Sequence, residues 1–322
     1  MSARGLTRSL GESGLETTAI ALGLAALGRP GYLNLGHGED LAENSVPALA
    51  QRTHEVLDAA YAAGVRHFDA ARSYGRAEEF LGQWLAARGF EPGALTVSSK
   101  WGYTYTADWQ VDADPPEVKD LSAATLRRQL VETREQLGEH LSLYQIHSAT
   151  LSSGVLDDPE VRVLLADLRS SGVAIGLSVT GTEQAATILR AIEVGGFDTV
   201  QATYNLLERS AGDALAAAHE AGIGVIIKEA LANGRLTARG GIAALNTAAA
   251  RVGASEDALA IAALLARPWV DAVLSGAATV AQLHSNLGAV DVEWDEALEA
   301  ELASLVEPPD QYWETRSGLT WT

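Results

Sequence analysis

Four side chains that together could transfer a proton lie at or near the ends of short apolar runs. Asp69, Lys100 and His147 each end such a run, and Tyr74 follows Asp69 by five residues. A buried carboxylate needs a partner, and Lys100 and His147 are the candidate cations. A lysine that pairs with Asp69 beside the phenol would favour the phenolate and lower the pKa of Tyr74. The set therefore predicts a general acid that works near neutral pH.

This set holds an acid but neither a nucleophile nor a group of metal ligands. Another component must supply the electrons, and a nicotinamide hydride is the simplest candidate. His147 would then hydrogen-bond the substrate oxygen and orient it. Each residue also has a structural interpretation: Asp69 and Lys100 as an ion pair, His147 as a core histidine, Tyr74 as a loop residue. The other histidines show no spacing such as H-E-x-x-H, so no metal site is predicted.

The elements that must position these residues alternate between strand and helix along the chain. Eight apolar runs, each followed by a helical pattern, predict strands at 17–24, 64–69, 95–100, 141–147, 173–179, 197–202, 223–228 and 271–275. Such alternation indicates a parallel sheet, and eight units indicate an α/β fold of the (β/α)8 TIM-barrel type. The C-terminal strand ends of a barrel share one face, where the four residues would meet. An open doubly wound sheet is the alternative, but no G-x-G-x-x-G follows the first strand.

The pattern predicts one barrel domain over residues 1–322, with two irregular segments. A long loop at about 101–121 has the length of a lid or binding loop. A tail covers about 306–322. Their aromatic residues could frame an apolar substrate pocket, and they are Trp101, Tyr103, Tyr105, Trp109, Tyr312, Trp313 and Trp321. Residues 32–44 are predicted as a loop, followed by a helix that Ser45 caps and that ends near Ala63.

The composition excludes several classes of function. The chain has 322 residues, 47 % of them apolar, with no cysteine and a formal net charge of −19. The acidic surface would repel nucleic acid and anionic membranes. No apolar run reaches the roughly 18 residues of a membrane span, and no secretory signal is evident. We therefore expect a cytoplasmic protein, a monomer or weak homo-oligomer, with a small-molecule partner.

The residues around Asp69 resemble the first motif of the aldo-keto reductases. The match comprises residues 64–71 (GVRHFDAA), then Tyr74-Gly75, Glu78 and Leu81-Gly82. The strands that end in Lys100 and His147 fill the next two motif positions. The resemblance implies a barrel that binds NADPH across its strand ends and reduces a carbonyl substrate to an alcohol. It also implies that Tyr74 is the general acid, that Asp69 and Lys100 tune it, and that His147 positions the carbonyl.

The same resemblance implies a set of cofactor-binding positions. They are Ala25, Ala26, Ser178, Gln201, Lys228, Ala230, Leu231, Gly234, Gly276, Ala277, Ala278, Gln282 and Asn286. Val179 replaces the usual asparagine after Ser178, and the segment 228–231 replaces an aromatic beneath the nicotinamide. Gly276 and Gln282 stand where many members carry basic residues for the 2′-phosphate. The resemblance thus implies NADPH and leaves NADH possible.

Two alternative functions remain compatible with a barrel. The first is a non-catalytic nucleotide-binding barrel that acts as a sensor or regulatory subunit. The second is a lyase or aldolase that forms a Schiff base through Lys100 or Lys228. A lysine paired with Asp69 would stay charged and be a poor amine nucleophile, so the second is the weaker alternative.

Overall fold

The computed structural model describes residues 7–31, 35, 43, 45–111 and 113–320. Most of the loop predicted at 32–44, and Trp321 in the tail, lie outside the described residues. The strands are β1 (Thr7–Ser9), β2 (Glu16–Thr18), β3 (Ile20–Gly23), β4 (His67–Asp69), β5 (Thr96–Trp101), β6 (Tyr103–Tyr105), β7 (Glu117–Lys119), β8 (Leu141–Ala149), β9 (Ala174–Val179), β10 (Thr199–Thr203), β11 (Gly224–Lys228) and β12 (Ala272–Ser275).

Eight of these strands, β3–β5 and β8–β12, form a closed parallel barrel. Each pairs with the next in chain order, and β12 pairs back with β3. The predicted (β/α)8 barrel is therefore confirmed. Strands β4, β5, β9 and β10 are buried along their whole length, as expected for strands that helices cover on the outer face.

Helices surround the barrel and link successive strands. They are α1 (Ala25–Gly28), α2 (Val46–Ala62), α3 (Ala77–Arg88), α4 (Ala123–Leu137), α5 (Pro159–Ser170), α6 (Gln184–Val194), α7 (Gly212–Glu220), α8 (Ala243–Val252), α9 (Glu256–Leu265), α10 (Val280–Leu287), α11 (Glu296–Leu302) and α12 (Pro309–Ser317). Ser45 caps α2 as predicted, since its hydroxyl accepts the N–H of Ala48 at 3.4 Å. None of the described helices is both long and apolar enough to cross a membrane.

The antiparallel hairpin of β1 and β2 lies at the N-terminal end of the barrel strands. Leu10, between the two strands, is fully buried and clusters with barrel residues such as Leu143 and Ile226. Glu12 N–H donates to the carbonyl of Gly222, just before β11, at 2.8 Å. This end is therefore filled, which leaves the C-terminal end as the open mouth.

Three segments differ from the predicted pattern. The segment predicted as a loop at 101–121 contains β6 and β7, which pair antiparallel with Tyr103 opposite Lys119. Each of these two strands has three residues, too few to show the alternation of apolar and polar residues that predicts a strand. The connection after β11 contains the alanine-rich helix α8, which was not predicted. The tail contains α12, which buries Tyr312 and Trp313 in an apolar cluster with Leu207, Leu245 and Leu302, and neither aromatic lines the cleft described below.

Candidate active site

Asp69 is the centre of a buried polar cluster at the C-terminal end of β4. Its side chain is almost completely buried and forms an ion pair with Lys100. Its Oδ1 also accepts hydrogen bonds from Ser98 Oγ at 2.6 Å and from Gln145 Nε2 at 3.1 Å. Barrel register explains these partners, because Asp69 pairs with Ser98 and Lys100 pairs with Gln145 across neighbouring strands. Residues of β5 and β8 thus hold the carboxylate in place.

Lys100 places a positive charge beside the phenol of Tyr74. The lysine side chain has no exposed surface, and its ammonium also donates to the carbonyl of Ala70 at 2.9 Å. The Nζ atom lies 4.9 Å from the centroid of the Tyr74 ring. The ammonium is therefore within cation–π distance of the Tyr74 ring.

The backbone holds Tyr74 in place. Its N–H donates to the carbonyl of Ala71 at 3.1 Å, and Gly75 follows with a φ of +58° that favours glycine. Gly28 of α1 touches the same turn so closely that an added Cβ would lie 2.0 Å from the carbonyl oxygen of Tyr74. The phenol therefore sits on a rigid loop.

His147 completes the predicted set. Its ring meets the ring of Tyr74 edge-on at a centroid distance of 5.6 Å and that of Tyr103 at 4.9 Å. Burial lowers the pKa of His147 well below its usual value, and nearby cations, Lys100 first among them, lower it further. The imidazole is therefore neutral at pH 7 and offers one N–H as a hydrogen-bond donor. Its Nδ1 lies 3.5 Å from Ser73 Oγ.

A cleft of about 570 Å³ runs along the mouth from Asp69 and Tyr74 to the start of α10. This volume lies within the usual range for small-molecule sites. Eleven of the thirteen predicted cofactor positions line it, namely Ala25, Ala26, Gln201, Lys228, Ala230, Leu231, Gly234, Gly276, Ala277, Gln282 and Asn286. Sequence-distant residues thus converge on one elongated site.

A profile of the Aldo/keto reductase family matches residues 19–307, which cover the barrel and its mouth. The chain belongs to the aldo/keto reductase family. YrpG of Bacillus subtilis (strain 168), described as an uncharacterized oxidoreductase, is 25 % identical over 97 % of this chain and 98 % of its own length. Aldo-keto reductase str7 of Strobilurus tenacellus is 30 % identical over 42 % of this chain and 36 % of its own.

Solved structures of aldo/keto reductases share the fold. PA4992 from Pseudomonas aeruginosa, assigned to these reductases, has a TM-score of 0.66 and 26 % identity over 90 % of this chain and 97 % of that one. The holo form of AKR11C1 from Bacillus halodurans has a TM-score of 0.73 over 94 % and 96 % of the chains, at 20 % identity, and so supports the fold alone. Family members use a nicotinamide cofactor, and these matches support an oxidoreductase role.

The cleft of this aldo/keto reductase fits an extended ligand. At its far end, a Cβ added to Gly276 would meet no atom within 4 Å, so the backbone there is open to close approach. Gln282 and Asn286 are held in place: Gln282 Oε1 accepts the N–H of Ala278 at 2.9 Å, and the Asn286 amide contacts Ser275 Oγ at 2.8 Å. These polar groups suit the sugar and base of a nucleotide better than an apolar ligand.

Two predicted cofactor positions do not line the cleft. Ser178 is fully buried, and its hydroxyl accepts the N–H of Ser148 at 2.8 Å and lies 3.4 Å from the carbonyl of Ile146. It therefore fixes the backbone on both sides of His147, where Ser148 has a φ of +55°. Ala278 contributes the backbone N–H that Gln282 accepts. Ser178 and Ala278 therefore lie behind the surface of the mouth and hold neighbouring residues in place.

The end of β11 carries a charge network in the segment 228–231, which the sequence analysis identified as replacing an aromatic. Lys228 donates to Thr203 Oγ1 at 2.7 Å and lies 3.7 Å from the carboxylate of Glu229. Arg316 of α12 binds the same carboxylate through two nitrogens, at 3.0 and 2.6 Å. Burial opposes the ionisation of Glu229, but Lys228 and Arg316 together lower its pKa to about 2. Burial lowers the pKa of Lys228 to about 8.

Several residues of the site escaped the sequence analysis. His67 links Thr17 and Ser98, with each ring nitrogen 3.0 Å from a hydroxyl, and burial lowers its pKa to about 4. It thus holds Ser98 against Asp69 as a neutral group. Its position two residues before Asp69 is the only sequence signal for this role. Further cleft residues not predicted are Asn233, Thr237, Arg239, Glu256, Asp257 and Arg316.

Proposed function

We propose that this protein is an NAD(P)H-dependent reductase of aldehydes or ketones, with Tyr74 as the general acid. The observation that carries the proposal is the buried ion pair of Lys100 and Asp69, whose ammonium lies 4.9 Å from the Tyr74 ring at one end of the cleft. An acid of this kind serves a reaction in which a carbonyl oxygen gains a proton.

The proposed reaction is a two-electron reduction of the substrate carbonyl. A bound nicotinamide cofactor in its reduced form would supply the hydride that joins the carbonyl carbon. Tyr74 donates its proton to the carbonyl oxygen, which yields the alcohol, and Lys100 stabilises the phenolate that remains. Neutral His147 donates a hydrogen bond to the same oxygen and orients it. Asp69 keeps the ammonium of Lys100 in place.

For the cofactor we propose that Gln201, Ala25 and Ala26 border the nicotinamide end of the cleft and that Gly276 and Asn286 border the adenosine end. NADPH is the cofactor we expect, with NADH possible. Arg239 is an exposed cation in the cleft wall and is our candidate for the 2′-phosphate. The Arg239→Gln variant should then weaken NADPH binding at least about tenfold more than NADH binding, as measured by fluorescence titration.

The decisive experiment follows NADPH and NADH oxidation with a panel of carbonyl compounds. Tyr74→Phe should lower kcat at least about 100-fold, the usual contribution of a general acid, with cofactor affinity within a few-fold. Tyr61→Phe is the matched control, because Tyr61 is exposed on α2. Equal turnover by Tyr74→Phe would refute the assigned acid. Nucleotide binding without turnover of any carbonyl would support the non-catalytic alternative.

The Schiff-base alternative has support at one residue only. Lys228 lines the cleft, and its pKa of about 8 leaves part of it as a neutral amine at pH 7. Lys100 forms an ion pair and is unsuited to attack a carbonyl. Borohydride reduction in the presence of a carbonyl substrate, followed by mass spectrometry, tests this alternative: a covalent adduct at Lys228 would support it.

A further inference from the structure

The distribution of lysine in this chain is uneven. The sequence contains three lysines and twenty arginines. All three lysines, Lys100, Lys119 and Lys228, are the last or next-to-last residue of a strand, and all three act electrostatically on His147. Lys100 has its role beside Tyr74. Lys119 and Lys228 have no part in the proton transfer proposed above. Lys228 lines the cleft, and Lys119 has no role assigned so far.

Lys119 brings a charge to His147 from the β6–β7 hairpin. Its Nζ donates to the carbonyl of Ser148, the residue after His147, at 2.7 Å. It also lies 5.7 Å from the centroid of the Tyr103 ring, which packs edge-on against His147. The side chain is exposed, and among the described residues no carboxylate lies within ion-pair distance of it. Its charge is therefore available to a ligand.

Lys228 brings a second charge from the opposite side of the mouth. It shares the carboxylate of Glu229 with Arg316, at 3.7 and 2.6 Å. Both cations line the cleft together with Tyr74. Arg29 adds a fifth cation; it is 7 % exposed and lies 3.5 Å from Glu117. Burial raises the pKa of Glu117, and the charge of Arg29 opposes that rise.

The part of the mouth around His147 is rich in cations, although the protein is acidic. Lys100, Lys119, Lys228 and Arg29 act electrostatically on His147. Ion pairs join three of them to Asp69, Glu229 and Glu117, whereas Lys119 forms none with the described residues. The acidic residues Glu256 and Asp257 line the far part of the cleft, where Asp257 accepts a hydrogen bond from Ser285. The chain as a whole carries −19. Lys119 and Arg29 do not line the cleft assigned to the cofactor. The charge of Lys119 lies instead beside Tyr103 and His147.

We propose that Lys119 and Lys228 select substrates whose carbonyl lies close to an anionic group, a carboxylate or a phosphate. This inference rests on the reductase function proposed above and names its substrate class. Cations grouped around His147 attract such a group. The acidic remainder of the surface would repel the same substrate elsewhere, which confines productive encounters to the mouth.

The test compares two aldehydes of one shape and different charge, para-carboxybenzaldehyde and methyl para-formylbenzoate. Wild-type kcat/KM should be at least about tenfold higher for the carboxylate, and raising the ionic strength from about 0.05 to about 0.5 M should remove most of this ratio. Lys119→Gln and Lys228→Gln should each lower the ratio about threefold or more. Lys119→Arg should restore it, and Arg8→Gln, on the hairpin at the opposite end, should leave it unchanged. The ratio of kcat/KM for glyceraldehyde phosphate to that for glyceraldehyde tests the same preference with a phosphate group.

Equal kcat/KM for the two aldehydes, or a ratio that Lys119→Gln leaves intact, would overturn the inference. Failure to reduce either aldehyde would instead count against the reductase function. Calorimetric titration then decides the inference separately, with benzoate and benzamide as the ligands. Benzoate should bind more tightly than benzamide and lose that advantage in Lys119→Gln, whereas equal binding of the two would overturn the charge argument.

Discussion

Replacing Lys100 by methionine tests the centre of the site in both stability and chemistry. Lys100→Met keeps the side-chain volume nearly constant but leaves Asp69 without its cation in a buried site. Removing one partner of a buried pair costs about 3–5 kcal/mol. Ser98 and Gln145 still donate to the carboxylate, so we expect the lower value, about 3 kcal/mol.

A second substitution separates the two effects. In the combined variant Lys100→Met with Asp69→Asn, the uncompensated charge is removed, and about 2 kcal/mol of the lost stability should return. Activity should not return, because no cation remains beside Tyr74. Urea unfolding followed by circular dichroism gives the free energies, and NADPH oxidation with an aromatic aldehyde gives kcat.

Two results would refute this reasoning. An unfolding free energy for Lys100→Met within about 1 kcal/mol of wild type would mean that the pair is not desolvated as its burial indicates. A kcat within about tenfold of wild type would mean that the ammonium does not assist Tyr74.

Three further predictions concern pH and backbone fit. Glu229 has a pKa of about 2 in the folded protein against a usual 4.5, so its ionisation stabilises the fold by at most about 3 kcal/mol above pH 4.5. This stabilisation is lost as the pH falls towards 2. In urea unfolding between pH 6 and 3, the unfolding free energy of Glu229→Gln should therefore depend less on pH than that of the wild type. Lys228 loses its charge as pH rises through about 8, so the kcat/KM preference for carboxylated over neutral aldehydes should fall there, and Lys228→Arg should remove that fall. Gly28→Ala should destabilise the fold by about 2 kcal/mol or more and lower kcat, because its Cβ would strike the backbone of Tyr74, whereas Gly276→Ala should leave thermal unfolding unchanged and weaken cofactor binding.

The sequence predicted the barrel because its signals are local and repeated. Each strand is a short apolar run, and helices such as α2 begin at a capping serine that can be identified without a structure. The β6–β7 hairpin gave no such signal, since its strands are three residues long and are stabilised by pairing with each other. Helix α8 lies in a connection interrupted by glycines, and its alanine-rich sequence was not predicted as a helix.

The site was predictable only in part, because sequence patterns are local and many contacts of the site are not. Asp69, Lys100 and His147 follow strand ends, so the topology alone brings them to one face. The partners of Asp69 depend on which residues stand opposite each other after the barrel closes, as Ser98 does. The contact of Arg316 with Glu229 joins residues 87 positions apart and depends on where α12 packs. No local pattern encodes such contacts.

The choice of lysine over arginine shows how strongly the site constrains its residues. The chain uses arginine for every cation outside the mouth, yet Lys100 is a lysine with no exposed surface. A compact ammonium on a flexible stem can reach Asp69 on the neighbouring strand and still bond the carbonyl of Ala70. A planar guanidinium presents five donors in a fixed fork and would leave some of them without acceptors in a buried pocket. The residue type at this position therefore follows from the geometry of the strand end and not from charge alone.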